Sequence, residues 1–133
     1  YHVVFTFDDS SNRIRLYVNG SQVASKTHNN STVNQNSAFS IGRRHDSNAA
    51  YYAGKIDEVA YWNTELSANA ISTLYNSGTP LSASSNSGNY TSSGNLVAYY
   101  QFQENLNDSE GSFTLTNYNN NIGSSNYVAE TIE

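Results

Sequence analysis

Cysteine is absent from the chain. That excludes a disulfide framework, a thiolate zinc site and a cysteine nucleophile, and leaves the compartment open. Charge is scarce as well: 13% of residues are Asp, Glu, Lys or Arg, where about 25% is usual. Six Lys and Arg against eleven Asp and Glu give a net charge of -5 and a pI near 5.0, which is the wrong sign for a phosphate-backbone footprint, so nucleic acid is excluded as a partner. No apolar run approaches the roughly 18 to 20 residues needed to cross a bilayer, so membrane insertion is not expected, and no basic-then-apolar opening resembles a signal peptide. The chain opens at Tyr1 rather than Met, which points to a processed or incomplete piece of something longer, with any targeting signal in the missing part.

What is abundant is neutral polarity. The 133 residues include 20 Asn and 21 Ser, nearly a third of the chain, beside 37% hydrophobic residues and eleven Tyr. The length suits one core. His2 to Phe7 (HVVFTF) alternates Val3, Phe5 and Phe7 against Val4 and Thr6, the period of two of a strand with one face on a core. Arg13 to Val18 (RIRLYV) places Ile14, Leu16 and Val18 on one face and Arg13, Arg15 and Tyr17 on the other. Asn19-Gly20 follows, and both tolerate the positive φ that a type I′ turn requires, so RIRLYV-NG-SQVASKT predicts a hairpin.

Thr27 to Ser37 is too polar to bury and reads as a loop, followed by a short strand over Ala38 to Gly42 and a second loop, RRHDSNAA. Tyr51 to Trp62 (YYAGKIDEVAYW) is aromatic and β-branched, a predicted central strand in which Gly54 and Asp57-Glu58 hint at a bulge. From Leu66 to Gly78 the period changes. Ile71, Leu74 and Tyr75 recur at three and four, Ser67 can cap the first turn, Leu66 and Ile71 stand where a hydrophobic staple would, and Gly78 and Pro80 stop the helix. Leu81 to Asn95 is Ser/Asn/Gly repetition and reads as a flexible connector. Leu96 to Phe102 and Ser112 to Tyr118 are further alternating strands around the turn-rich ENLNDSEG. Six or seven short strands, many turns and one short helix predict an all-β, antiparallel β-sandwich (jelly roll), and no βαβ alternation competes with it.

The series HVVFTFD, RLYVNGSQV, SIGRR and YYAGKIDEVAYWNTELSANAISTLYNSG resembles, in order and spacing, the second half of a laminin-G-like, concanavalin A-like jelly-roll domain over residues 2–78. Its most specific part is Gly54-Lys55-Ile56-Asp57-Glu58-Val59, leading through Trp62-Asn63 to Leu66-Ser67. Gly94 to Phe102, with Asn107-Asp108-Ser109 and Gly111 after it, is similar to the first strand of the same family, so the order is reversed. The resemblance implies a family domain over 1–80, a connector over 81–95 and an opening-strand segment over 96–133, and a sandwich that is incomplete or permuted. A cut across two tandem domains, a circular permutation and a strand donated to a neighbouring subunit all satisfy that order. An incomplete sandwich leaves edges and apolar faces that must pair with something.

Some relatives on this fold are glycosidases, which need two carboxylates about 5 to 5.5 Å apart for retention. The related hydrolases use Glu-x-Asp-x-Glu; here Lys55 stands where the first Glu is required, and Asp57 and Glu58 are adjacent, so their side chains diverge unless a bulge intervenes. Asp57 is expected to be a structural hydrogen-bonder and Glu58 a solvated residue, and no enzyme is expected. His2, His28 and His45 fall in no metal or triad spacing. The resemblance implies no required cofactor and allows a calcium ion, with Asp8, Asp9 and Asp46 as the ligand candidates. Asn19, Asn29, Asn30, Asn89 and Asn107 each open an Asn-x-Ser/Thr triplet, frequent by chance at this composition.

Recognition remains. Sugars are bound by aromatic faces together with planar amide, carboxylate and guanidinium groups displayed on loops. The candidate ligand-binding residues are Arg43, Arg44, His45, Asp46, Tyr51 and Tyr52 in one loop, and Trp62 further along; core or inter-strand packing is the competing role for Tyr51, Tyr52 and Trp62, and surface solvation for the arginines. The expected function is a non-catalytic adhesion or display module at an extracellular, virion or particle surface, with weak carbohydrate binding. The alternative is a structural subunit of a virion fibre, decoration or filament, completed by strand exchange with a neighbouring chain. The partners are accordingly glycans or neighbouring protein subunits, including a homo-oligomer.

Overall fold

A computed structural model describes residues 1–28, 39–43 and 51–117. Three strands, β1 (Val3–Asp8), β2 (Arg13–Val18) and β3 (Ser21–Thr27), form an antiparallel sheet in the order β1-β2-β3. Val3 pairs with Val18, Phe5 with Leu16 and Phe7 with Ile14. The predicted hairpin is present: Val18 pairs with Ser21, and Asn19 and Gly20 turn at φ 50° and 77°. A Cβ on Gly20 would lie 3.0 Å from the Tyr75 ring and 3.3 Å from the Ser72 backbone. The turn is therefore closed against the helix that follows.

That helix, α1 (Ala68–Tyr75), begins at Ser67, whose Oγ accepts the Ala70 N–H at 3.1 Å. It ends at Asn76, left-handed at φ 43°, whose N–H returns to the Ser72 carbonyl. Ala70, Ile71 and Leu74 share one face and form the core with Tyr17, Leu66 and Tyr90, against which Val4 and Trp62 pack. The face of β1 carrying Val4 and Thr6 is therefore the closed one, and Val3 and Phe5 stand 62% and 63% exposed. This reverses the simplest reading of HVVFTF. The covered face is the more polar one, with Thr6 and Asp8 beside Val4, and α1 covers it because Tyr17 projects from the same side of β2.

The second sheet pairs β4 (Val59–Trp62) with β5 (Leu96–Tyr100) antiparallel within the same chain, Val59 opposite Tyr100 and Trp62 opposite Leu96. Ala98, Tyr99 and Tyr100 are buried there. The long strand expected over Tyr51 to Trp62 is confined to its last four residues. Glu58 at φ 53° interrupts the extended backbone, and Asp57 Oδ1 takes the Glu58 N–H at 3.1 Å. β5 stops two residues before the expected end, at Phe102 with φ 52°. Residues 39–42 pair with no strand, and 112–117 form none. In that second stretch, Leu115 N–H reaches the Leu106 carbonyl at 3.3 Å, and the Phe113 carbonyl accepts from the Tyr100 hydroxyl at 2.7 Å.

The segment 81–95 is packed rather than free. Tyr90 is fully buried; its hydroxyl donates to the Ala83 carbonyl at 2.5 Å and accepts the Trp62 Nε1–H at 2.9 Å. Ser87 and Tyr90 exchange both backbone hydrogen bonds, and Asn86 Oδ1 holds the Ser93 N–H at 3.0 Å. One aromatic anchor in a Ser/Asn/Gly run is enough to order it, because the polar side chains satisfy the local backbone. Among the described residues no helix is long and apolar enough to cross a membrane.

Candidate functional site

The stretch before β4 brings three of the expected residues together. Arg43 and Tyr51 form an isolated antiparallel bridge, and Tyr52 N–H donates to the Gly42 carbonyl at 2.8 Å. Gly42 turns at φ 72°, a region open to glycine at little cost. Tyr52 then folds back: a Cβ on Gly54 would lie 2.6 to 2.9 Å from its ring and hydroxyl. A side chain at position 54 would require the exposed Tyr52 ring to swing away. The result is a shallow open concavity of about 450 Å³ lined by Gly42, Arg43, Tyr51, Tyr52 and Ile56, with Tyr51 45% and Tyr52 62% exposed.

Arg44, His45 and Asp46 lie outside the described residues. Trp62 does not join the group. Its ring meets Tyr90 edge-on, 6.3 Å between centroids at 82°, and its only N–H is committed to the Tyr90 hydroxyl. Trp62 is a packing residue, the competing role given to it from sequence.

Asp8 is engaged inside the β1-β2 turn. One carboxylate oxygen accepts from Ser10 N–H at 3.0 Å and Ser10 Oγ at 2.6 Å, and the other from the Ser11 hydroxyl. The Ser10 hydroxyl above all, then that of Ser11, holds the Asp8 carboxyl down at about 2. Asp9 is exposed, and its carbonyl accepts the Asn12 N–H at 3.3 Å. Among the described residues no three His, Asp or Glu side chains converge as a metal cluster; Asp46, the third calcium candidate, is outside them.

The acidic pair differs from the expectation in one member. Asp57 bonds the backbone as anticipated, but Glu58 is half-buried and accepts from the Tyr99 hydroxyl rather than standing in water. Burial pushes the Glu58 carboxyl up and the Asp57 charge adds to this, while the Tyr99 hydrogen bond opposes them. The same contact, behind burial, carries Tyr99 up to about 12. The Glu58–Tyr99 contact spans 41 positions of sequence, so no local spacing signals it. Asp108 is a second group whose role the sequence concealed. It accepts the Tyr99 and Glu110 N–H groups at 2.9 and 3.1 Å on one oxygen and that of Phe113 at 3.3 Å on the other. Burial acts upward on its carboxyl, but these donors and the Gly111 N–H outweigh it and leave it lowered.

Antiparallel sheets with, among the described residues, a single short α-helix and an aromatic loop surface define an all-β sandwich protein. A laminin-G-type family model described as the Concanavalin A-like lectin/glucanases superfamily matches residues 1–72, more than half of the chain, and the chain belongs to that family. No curated protein and no solved structure matches it. Lectin and glucanase name the two chemistries to be weighed, binding and hydrolysis.

Proposed function

We propose that this chain is a non-catalytic adhesion or display module, working at an extracellular or particle surface, whose Arg43–Tyr51–Tyr52 concavity binds carbohydrate weakly. The observation that carries the reading is the pairing of Gly42-Arg43 with Tyr51-Tyr52, which sets two half-exposed phenol rings and a guanidinium on one shallow surface. Rings of this kind stack on the C–H faces of a sugar, and a guanidinium matches its hydroxyls. An open concavity buries little of a ligand, so affinity belongs in the millimolar range, near 4 kcal/mol. The alternative chemistry is disfavoured by the acidic pair: Asp57 is tied to the backbone and Glu58 to Tyr99, so neither is presented as a nucleophile and acid across a common space. Titration of the full chain with neutral oligosaccharides, followed by ¹⁵N chemical shifts, tests this. Shifts confined to the surroundings of Gly42, Tyr51 and Tyr52, lost in Tyr52→Ala, are expected; no shift at about 10 mM sugar, or hydrolysis of the oligosaccharide, overturns the reading.

A further inference from the structure

Three Asn-x-Ser/Thr triplets fall wholly within the described residues, opening at Asn19, Asn89 and Asn107, and the fold treats them differently. Asn19 is built into the hairpin: its Oδ1 accepts the His2 N–H at 3.0 Å, its own N–H bonds the His2 carbonyl at 2.8 Å, and the turn it opens lies against Tyr75 and Ser72 of α1. At Asn107 the other two members are consumed. Asp108 gathers the Tyr99, Glu110 and Phe113 N–H groups, and the Ser109 hydroxyl donates to the Tyr99 carbonyl at 3.1 Å. At Asn89 the middle residue alone is spent. Gly88 and Asn89 are the central pair of a tight turn whose ends, Ser87 and Tyr90, exchange backbone hydrogen bonds at 2.9 and 2.8 Å, with Gly88 at φ 50°. Tyr90 is fully buried between Trp62 and the Ala83 carbonyl, while Asn89 and Thr91 on either side of it are exposed. Neither of those two side chains hydrogen-bonds a described residue.

We propose that Asn89 is the acceptor of an N-linked oligosaccharide. The donor is an oligosaccharide carried on a polyprenyl pyrophosphate. Asn89 Nδ2 attacks its anomeric carbon, the bond from that carbon to the pyrophosphate oxygen breaks, the polyprenyl pyrophosphate leaves with the electron pair, and Nδ2 gives one of its two protons to a base of the transferase. The amide keeps its Oδ1 and one N–H. The Thr91 hydroxyl, two residues on, is the group by which a transferase reads the triplet. The product is bulky and strongly hydrated, so it suits an asparagine whose side chain the folded chain does not use. Asn89 meets that condition among the described residues, because Tyr90 holds the turn from the other side. A turn this tight also fixes the direction in which the sugar leaves, over the Ser/Asn/Gly backbone of 81–95. The modification needs passage through a compartment that holds a transferase, and to that extent it rests on the extracellular reading; it does not involve the Arg43–Tyr51–Tyr52 concavity.

Secretion of the full chain from a eukaryotic host, behind an added signal peptide, supplies the transferase, so the result at Asn89 bears on the site and leaves the extracellular reading to its own test. The secreted chain is treated with a glycan-releasing amidase, which turns a glycosylated Asn into Asp, and each triplet is read by mass spectrometry against the untreated chain. Conversion of Asn89 in most molecules is expected, with Asn19 and Asn107 largely unconverted. Thr91→Ala is expected to abolish conversion at Asn89 and Thr91→Ser to retain part of it, and Asn89→Gln to remove the corresponding mass from the intact chain. Both positions are exposed, and far-UV circular dichroism confirms that each variant is folded. Release of the glycan from the folded chain should leave the urea midpoint unchanged. An unconverted Asn89 in the secreted chain, conversion that favours Asn19 or Asn107, conversion that survives Thr91→Ala, or a midpoint that falls when the glycan is released would each overturn the proposal.

Discussion

The two faces of the β1-β2-β3 sheet differ in sequence and in fate, and the more apolar of them is the one α1 does not cover. One carries Val4, Thr6 and Tyr17, lies under α1, and is closed by Ile71, Leu74 and Ala70. The other carries Val3, Phe5 and Phe7 opposite Val18, Leu16 and Ile14 and is covered by no layer among the described residues, where Phe7 meets the His28 ring at 4.6 Å. Hydrophobic alternation shows that a strand has an apolar face. It does not show which layer covers that face, and the side on which the helix docks comes from tertiary packing: here from Tyr17, which reaches into it with Val4.

The sharpest way to break this comparison is to shorten one residue on each face. Ile71→Ala on the closed side is expected to cost about 2 to 5 kcal/mol in urea unfolding, and Phe5→Ala on the open side less than about 1 kcal/mol; equal losses would mean that the open face is covered after all. Next is the anchor beside the closed face. Tyr90→Phe strands the Trp62 Nε1–H and the Ala83 carbonyl together, a loss of about 1 to 3 kcal/mol, and proteolysis within 81–95 should quicken with it. Ser67→Ala removes the α1 cap and should lower the urea midpoint by an amount equivalent to about 1 kcal/mol, with Ser67→Asp largely restoring it.

The smallest effect is a pH dependence. Glu58 sits above its ordinary value in the folded chain, so it binds its proton more tightly folded than unfolded. Its contribution is complete below about 4.5 and is lost as pH rises through the raised folded value. Glu58→Gln should flatten that decline in a stability-against-pH series; an unchanged slope would assign the decline to another group.

The hairpin of β2 and β3 was legible because Asn19-Gly20 satisfies a backbone requirement that few residue pairs meet. The helix was legible because a capping serine preceded a change of period. The strand before β4 was not: Glu58 in the left-handed region ends it, and nothing in the aromatic run Tyr51 to Trp62 marks that position except the acidic pair itself. The segment 81–95 was misread because composition counts its serines and asparagines and overlooks one tyrosine. At the candidate site, Arg43, Tyr51 and Tyr52 were visible as residue types, whereas their meeting depends on the Gly42 carbonyl reaching the Tyr52 N–H across ten positions. Trp62 was drawn toward recognition by its chemistry and toward the interior by Tyr90.

Gly54 holds a different kind of control. Because the Tyr52 ring occupies the room a side chain would need there, enlarging position 54 would tip the aromatic plate without touching α1 or either sheet. Under the proposed reading, that single locus would re-aim the loop surface while leaving the scaffold beneath it intact, and a preference for one ligand shape over another would change there first.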